Sequence, residues 1–241
     1  MRSPLLAVGR RVRQRHVLNA LSGVDTPSRV LDAGCGEGRI LEAMAQRWPH
    51  ARILGIDEDD AVLDRARTLA ARHACVEVGR ALVGGPCIHE RFDLAVCVDV
   101  MEHIRDDAAA FRWLADHLAP GGTLVMHVPV SPQRHVMRSI DRAIAAEVRR
   151  GEGPHVREGY EPDRCVALLH LAGLKPRSLG FTFHRPVLRL AEDVDTVIYK
   201  RGLRPLKAAL LPVLMLASAS ERRPAATGPG YGLLVVADAP S

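Results

Sequence analysis

Aromatic residues are scarce: four Phe, three Tyr and two Trp make up 4% of the 241 residues. A nucleic-acid surface built from stacked rings is therefore not expected. Cysteine is also sparse. Cys35, Cys75, Cys87, Cys97 and Cys165 are odd in number, scattered, and form no C-x-x-C pair. That argues against a disulfide framework and a zinc site, and fits a reducing cytosol. Most of these thiols read as small buried residues. The uncharged stretch from Ala208 to Ser220 is too short to span a bilayer, which takes about 20 residues, and Pro212 interrupts it.

Hydrophobic residues make up 47% and charged residues 25% of the chain. This is an ordinary soluble globular composition, not a disordered one. The length fits one larger domain, or one domain with an appended lobe, and allows a sizeable core. The net charge of +5 comes from 33 basic and 28 acidic residues. The excess is confined to the start: Arg2, Arg10, Arg11, Arg13 and Arg15 all precede the first acid, Asp25. Residues 1–24 are expected to form a basic helix, with its arginines on a solvated face. The segment is Arg-rich and acid-poor, like a transit peptide. However, Leu5-Leu6-Ala7-Val8 is shorter than a secretory apolar region of about 7–15 residues. A cytoplasmic location is expected.

From Arg29 onward, strand and helix signals alternate. Arg29–Asp32, Arg52–Asp57, Cys75–Val78, Phe92–Val98 and Thr123–Val128 read as strands one to five. Helices are expected from Ile40 to Trp48, from the Glu58-Asp59-Asp60 cluster to about His73, and from Asp106 or Asp107 to the Pro120-Gly121-Gly122 break. This alternation implies an α/β fold: a doubly wound parallel sheet with helices on both faces. The second half is less regular. A helix is expected over about 133–150, a loop over Gly151–Gly159, and a helix bracketed by Pro162 and Gly173. Strands follow at Leu174–Phe183 and Tyr231–Ala237. Between them, about 186–220 reads as a helical insertion.

The informative segment is Val30-Leu31-Asp32-Ala33-Gly34-Cys35-Gly36-Glu37-Gly38, a strand, an acid, a glycine turn and a helix start. Glycines let a backbone approach a ligand closely, and open parallel sheets bind at the carboxyl ends of their strands. The spacing is G-x-G-x-G, not the dinucleotide G-x-G-x-x-G. Asp32 would repel a pyrophosphate and suits a cationic ligand. Asp57, ending strand two, is placed to accept from ribose hydroxyls. A cationic nucleoside without phosphate satisfies both acids.

Here the chain resembles the class I S-adenosylmethionine-dependent methyltransferases, in particular the small-molecule enzymes like those of ubiquinone and menaquinone biosynthesis. The resemblance runs through residues 31–38, Gly55-Ile56-Asp57, Phe92 to Ile104 and Leu118 to Leu124, in the family's order. It implies a Rossmann-like sheet of seven strands, parallel except for an antiparallel edge strand, with residues 25–241 as the methyltransferase domain. It also implies S-adenosyl-L-methionine as cofactor, held by Asp32, Gly34, Cys35, Gly36, Asp57, Glu58 and Val98. One position departs from the pattern: Arg80 stands where the family often has an acid that bonds adenine.

Methyl transfer to a hydroxyl needs a general base, and histidine is the usual one. His103, after strand four, and His127, ending strand five, are candidates. So are His155 and Tyr160 in the expected substrate segment of about 133–160, which also holds His135. Each has a plainer role available: a bond to the next helix for His103, a core position for His127, a surface loop for His155 and Tyr160. Asp99, Glu102 and His103 would ligate a hard cation if their segment were helical; no metal is expected. Residues 206–220 suit either an apolar helix packed on the sheet edge or a surface touching a membrane or a lipid-linked acceptor.

The leading function is methylation of a small-molecule acceptor, most simply at a hydroxyl of a sugar, quinone, polyketide or lipid-linked glycan. An RNA or DNA methyltransferase is an alternative, but Val98-Asp99-Val100-Met101 replaces the Asn/Asp-Pro-Pro-aromatic motif of amino-methylating enzymes, so no nucleic acid is expected. A non-catalytic binding protein on the same fold is another, for which Arg80 speaks. The glycine spacing and Asp32 count against an NAD-dependent oxidoreductase. Oligomeric state is not encoded in any of these motifs.

Overall fold

The computed structural model describes residues 8–151, 155–200 and 202–241. Arg2, Leu5, Leu6 and Ala7 lie outside the described residues, as does 152–154 of the expected substrate segment. The elements run α1 (Val8–Leu21), β1 (Arg29–Ala33), α2 (Arg39–Arg47), β2 (Arg52–Asp57), α3 (Asp60–Ala70), β3 (Val76–Arg80) and β4 (Phe92–Val98). After a short 3-10 turn at Met101–His103 come α4 (Asp107–Asp116), β5 (Leu118–Pro129), α5 (Arg138–Arg150), α6 (Pro162–Leu171) and β6 (Lys175–Thr182). The chain closes with α7 (Pro186–Lys200), α8 (Arg204–Ala219) and β7 (Gly232–Asp238).

The seven strands form one sheet in the order β3-β2-β1-β4-β5-β7-β6. β3 through β5 pair in parallel. β7 runs antiparallel to both β5 and β6, entering between them. The chain winds outward from β1 to β3 and then returns to β4. The switch point therefore lies between β1 and β4, where open α/β sheets bind ligands.

Layering follows from the strand composition. β4 and β7 are near-continuous apolar runs, as strands covered on both faces must be. On one face Leu31, Phe92, Phe111, Leu114 and Leu168 pack together under α4 and α6. On the other, Val17, Leu21, Leu41, Met44 and Ile53 pack under α1 and α2. Each such side chain, fully withdrawn from water, contributes about 1.5–3 kcal/mol. A smaller cluster of Val8, Val12, Phe183, Leu188 and Leu214 joins α1 to α7 and α8. Asp59 caps α3 by accepting from Ala61 N at 2.8 Å, and Asp106 caps α4 by accepting from Ala109 N at 2.9 Å.

Two expectations about this half of the chain change. α4 ends at Asp116, before the Pro120-Gly121-Gly122 break, and that break lies inside β5. The His117 carbonyl is claimed by Phe92 N of β4 at 2.8 Å, so pairing to the sheet begins before the local turn signal acts. The arginines of α1 are not all on a solvated face. Arg15 turns inward and donates to the Ser218 and Glu221 carbonyls, and Arg13 meets Asp99 at 2.6 Å. Among the described residues, no helix is long and apolar enough to cross a membrane.

Candidate active site

The glycine loop after β1 is shaped by backbone bonds to β2. Gly34 N and Cys35 N both donate to the Ile56 carbonyl at 2.8 Å. Gly34 has φ +82°, and an added Cβ would lie 2.1 Å from Val100 Cγ2, so only glycine fits. Gly36 also has positive φ, +54°, but an added Cβ would meet nothing within 4 Å. The loop is therefore closed below Gly34 and open above Gly36, which leaves room for a ligand.

Two acids flank that opening. Asp57 accepts from Gly36 N through Oδ2 at 2.9 Å and from Asp59 N through Oδ1 at 3.1 Å, so it ties the glycine loop to the start of α3. Asp32 is 1% exposed, and its Oδ2 has no hydrogen-bond partner among the described residues. Burial, with repulsion from Asp57, pushes its carboxyl up to about 7. A buried carboxylate oxygen without a donor, beside an open glycine loop, has the charge requirement that a sulfonium or ammonium group meets. The residues thus fit S-adenosylmethionine.

The other residues expected around the cofactor are placed less directly. Cys35 is buried, its Sγ turned toward Gly55, and burial pushes its thiol well up, so it contributes backbone only. Val98 ends β4, half-buried beside His127 of β5. Glu58 is exposed, and its carbonyl accepts from Arg80 Nε at 3.2 Å. Arg80 leans away to Asp60, at 3.3 Å, rather than filling the place of an acid.

The acceptor-side candidates separate into two groups. His127 is 2% exposed and both ring nitrogens are engaged: Nδ1 with Asp99 Oδ1 at 2.7 Å, Nε2 with Thr182 Oγ1 at 2.9 Å. Tyr160 is fully buried; its hydroxyl donates to the Met101 carbonyl at 3.1 Å and accepts from Arg157 Nη1 at 2.8 Å. Burial pushes the Tyr160 phenol well up. These two side chains hold the ends of β4 and β5 in place. His103 and His155, in contrast, are half-buried with ring centroids 4.7 Å apart.

The loop carrying His155 reaches His103 for identifiable reasons. Val156 N donates to the Glu102 carbonyl at 3.0 Å, and Arg157 donates to the Met101, Ile104 and Arg105 carbonyls. At Gly159, φ is +155° and a Cβ would meet the Pro129 carbonyl oxygen at 2.5 Å, so the loop can only close there with glycine. His135 lies elsewhere: its Nδ1 meets Asp193 of α7 at 2.6 Å, under Tyr231.

Asp99, Glu102 and His103, which would ligate a cation only on a helical segment, do not come together as a set. Asp99 adopts φ +54° and turns to Arg13 and His127. Burial works to raise its pKa, but Arg13 and His127 outweigh that and hold it down to about 2. His155 takes its place: ligand atoms of Glu102, His103 and His155 lie within 4.8 Å of one another. Glu102 is 2% exposed with an unpartnered Oε2, and burial beside Asp99 pushes it up to about 8.

Three participants were not legible as such beforehand. Arg13, Val100 and Thr182 shape the site through tertiary contacts, and sequence carried no signal for Val100 or Thr182. The basic run before Asp25 was the available signal for Arg13.

The described residues match known proteins over most of their length. Residues 8–178 match the model of a methyltransferase domain. A trans-aconitate 2-methyltransferase from Streptomyces coelicolor is 32% identical over 201 residues, covering 76% of this chain and 63% of that protein. One from Pseudomonas paraeruginosa is 34% identical over 121 residues, covering 49% of this chain and 43% of that protein. The chain thus spans less than two thirds of the length of these relatives. Among solved structures, the N-methyltransferase NodS from Bradyrhizobium japonicum, in complex with S-adenosyl-L-homocysteine, superposes with a TM-score of 0.62 at 19% identity, covering 100% of this chain and 90% of that one. With the glycine loop, the strand order and the matched domain in agreement, the chain belongs to the class I S-adenosylmethionine-dependent methyltransferase family.

Proposed function

We propose that the protein transfers a methyl group from S-adenosylmethionine to a hydroxyl of a small-molecule acceptor. The observation that supports the cofactor half of this reading is the buried, unpartnered oxygen of Asp32 beside the open face of Gly36; the half-buried His103–His155 pair supports a hydroxyl acceptor. Bound there, S-adenosylmethionine supplies an electrophilic methyl group on a sulfonium. Asp32 and the Gly34–Gly36 backbone hold the charged methionine end, and Asp57 accepts from the ribose. Glu58 and Val98 border the adenosine.

On the acceptor side, His103 follows β4 at the carboxyl end of the sheet and takes the hydroxyl proton at an imidazole nitrogen. His155 lies beside it and orients the acceptor. His127 and Tyr160 act as positioning residues: His127 fixes Asp99 and β5, and Tyr160 fixes the turn that carries His103. These residues orient the acceptor against the methyl group, and much of the acceleration in methyl transfer arises from such positioning. A second reading, an acid acceptor of the kind named in the trans-aconitate relatives, is favoured by those relatives; its anion needs no base.

The test is titration calorimetry of the protein with S-adenosylmethionine and S-adenosylhomocysteine, with Asp57→Ala as comparison, followed by a methyl-transfer screen over hydroxyl and polycarboxylic acid acceptors. Micromolar binding lost in Asp57→Ala, with turnover of a hydroxyl compound, supports the proposal. Absence of binding by folded protein overturns it.

A further inference from the structure

The junction between β6 and α7 faces the end of α8, and one buried acid joins them. Glu221 is fully buried and accepts from Phe183 N at 2.7 Å, His184 N at 2.8 Å, Arg185 N at 3.2 Å and His16 Nε2 at 2.9 Å. Burial works to raise its pKa, but these donors outweigh that and hold it low. With Glu221 turned inward, its neighbours are left at the surface. Ser220, Arg222 and Arg223 line a cleft of about 400 Å³ together with His184 and Arg185.

The cleft has an unbalanced charge. No acid lines it, and the guanidiniums of Arg185, Arg222 and Arg223 have no ion-pair partner among the described residues. Glu221 beneath lies 3.0 Å from His184 Nδ1 and is turned to His16 and the backbone N–H groups, not to these guanidiniums. The cleft keeps an excess of positive charge, carried by the three guanidiniums; the Ser220 hydroxyl at its edge donates to the Ala217 carbonyl at 2.6 Å. Such a set suits phosphate oxygens.

A second, independent feature ends at the same place. Leu206, Val213 and Leu216 of α8 are 45%, 65% and 76% exposed. Steps of seven, three and four along a helix place Leu206, Val213, Leu216 and then Ser220 on one stripe. The other side of α8 is buried at Leu214 and Ala217 against α1 and α7. An exposed leucine stripe that runs into an unpaired basic cleft has the two-part character of a surface that lies in a membrane interface.

We propose that the α8 stripe and the His184–Arg185–Ser220–Arg222–Arg223 cleft form a docking site for an anionic phospholipid membrane, with a lipid phosphate in the cleft and Val213 and Leu216 in the acyl boundary. The cleft shares no lining residue with the methyl-transfer centre, and its test does not depend on activity. It would hold the enzyme beside acceptors that partition into membranes.

The experiment is sedimentation of the full chain with vesicles of phosphatidylcholine alone or with phosphatidylglycerol. Binding to the anionic vesicles only, released near ~0.5 M salt, is the expected result. Arg222→Glu with Arg223→Glu should weaken it at least about tenfold, since each basic group near the surface is worth roughly fivefold. Leu216→Asp should weaken it by a similar factor, with both variants melting as the parent does. Binding of inorganic pyrophosphate without any vesicle binding would reassign the cleft to a free phosphate compound and overturn the proposal. So would a concentration-dependent dimer that Leu216→Asp abolishes, since the stripe would then be a contact between copies. Equal binding to neutral vesicles would remove the cleft from the account.

Discussion

Arg13 Nε lies 2.6 Å from Asp99 Oδ2, so the first helix is locked to the end of β4 by a partly buried ion pair. The same carboxylate holds His127 through its other oxygen. Farther along, Arg10 of α1 reaches Glu37 of the glycine loop at 3.7 Å, and Gln14 donates to the Arg39 carbonyl at 3.4 Å. α1 is therefore fastened to both sides of the switch point, where the cofactor is to bind. Its position couples the packing of α1 to the shape of the site.

Removing one partner strands the other in a site that is about three-quarters shielded from solvent. Arg13→Ala should cost roughly 1–3 kcal/mol, below the range of a fully buried pair. Urea denaturation measures the loss, and limited proteolysis should cut α1 sooner. The sign with pH follows from Asp99. Its carboxyl is held at about 2, below the ordinary 3.8, so the pair contributes fully above about 4 and is lost as pH falls toward 2. The stability gap between parent and Asp99→Asn should close over that window. A gap that stays constant down to pH 2 would show that Asp99 acts through packing alone.

The half of the candidate site assigned to the cofactor was legible in the sequence because it is local. Asp32, Gly34 and Gly36 sit on one strand-to-helix turn, and Asp57 ends the next strand, so spacing and the family resemblance pointed to them together. The acceptor half was not, because its contacts cross the chain. His127 reads as a candidate base until Thr182 of β6 and Asp99 of β4 close both its nitrogens. Tyr160 reads as a loop residue until Met101 and Arg157 bury its hydroxyl. The α4 boundary moved for the same reason, with a strand bond overriding a turn signal.

Asp32 should give up a proton when the cofactor binds. Its carboxyl sits at about 7 in the folded protein against an ordinary 3.8. The folded state therefore holds a proton that the unfolded state has released, and stability falls as pH rises between those values. A cation beside Asp32 favours the carboxylate. At pH 6, titration calorimetry in two buffers of different ionisation enthalpy should show close to one proton released per cofactor, and Asp32→Asn should abolish it. Equal heats in both buffers would mean that Asp32 is not the group that meets the charge. Without cofactor, Asp32→Asn should also stabilise the protein at pH 8, by up to about 4 kcal/mol.

Gly34 and Gly36 should respond differently to alanine. At Gly34 the new methyl collides with Val100 Cγ2 at 2.1 Å in a left-handed backbone, so Gly34→Ala should destabilise the fold markedly. At Gly36 the methyl meets open space, and the cost is the left-handed strain alone, about 1–2 kcal/mol. Gly36→Ala should therefore fold and melt only a few degrees lower, yet bind S-adenosylhomocysteine at least tenfold more weakly. A Gly36→Ala protein with parental affinity would place the ligand elsewhere on the sheet edge.

His103 and His127 should separate in the same manner on the acceptor side. If His103 removes the acceptor proton, His103→Ala should lower kcat by about 10²–10⁴ with cofactor affinity unchanged, and added imidazole should restore part of it. The acid side of the kcat profile should flatten in the same variant, which a merely structural histidine would not cause. His127→Asn should act on stability instead, because it opens the bonds to Asp99 and Thr182 in a buried place. Chelation sharpens the assignment, since Glu102, His103 and His155 are close enough to share a cation. Turnover unchanged in EDTA keeps His103 as the base. Turnover lost in EDTA and restored by a divalent ion would make all three ligands, and the pKa of Glu102, raised to about 8, would then fall once the cation is bound. An acid acceptor gives a third pattern, in which His103→Ala leaves kcat within a few fold because no proton has to be removed.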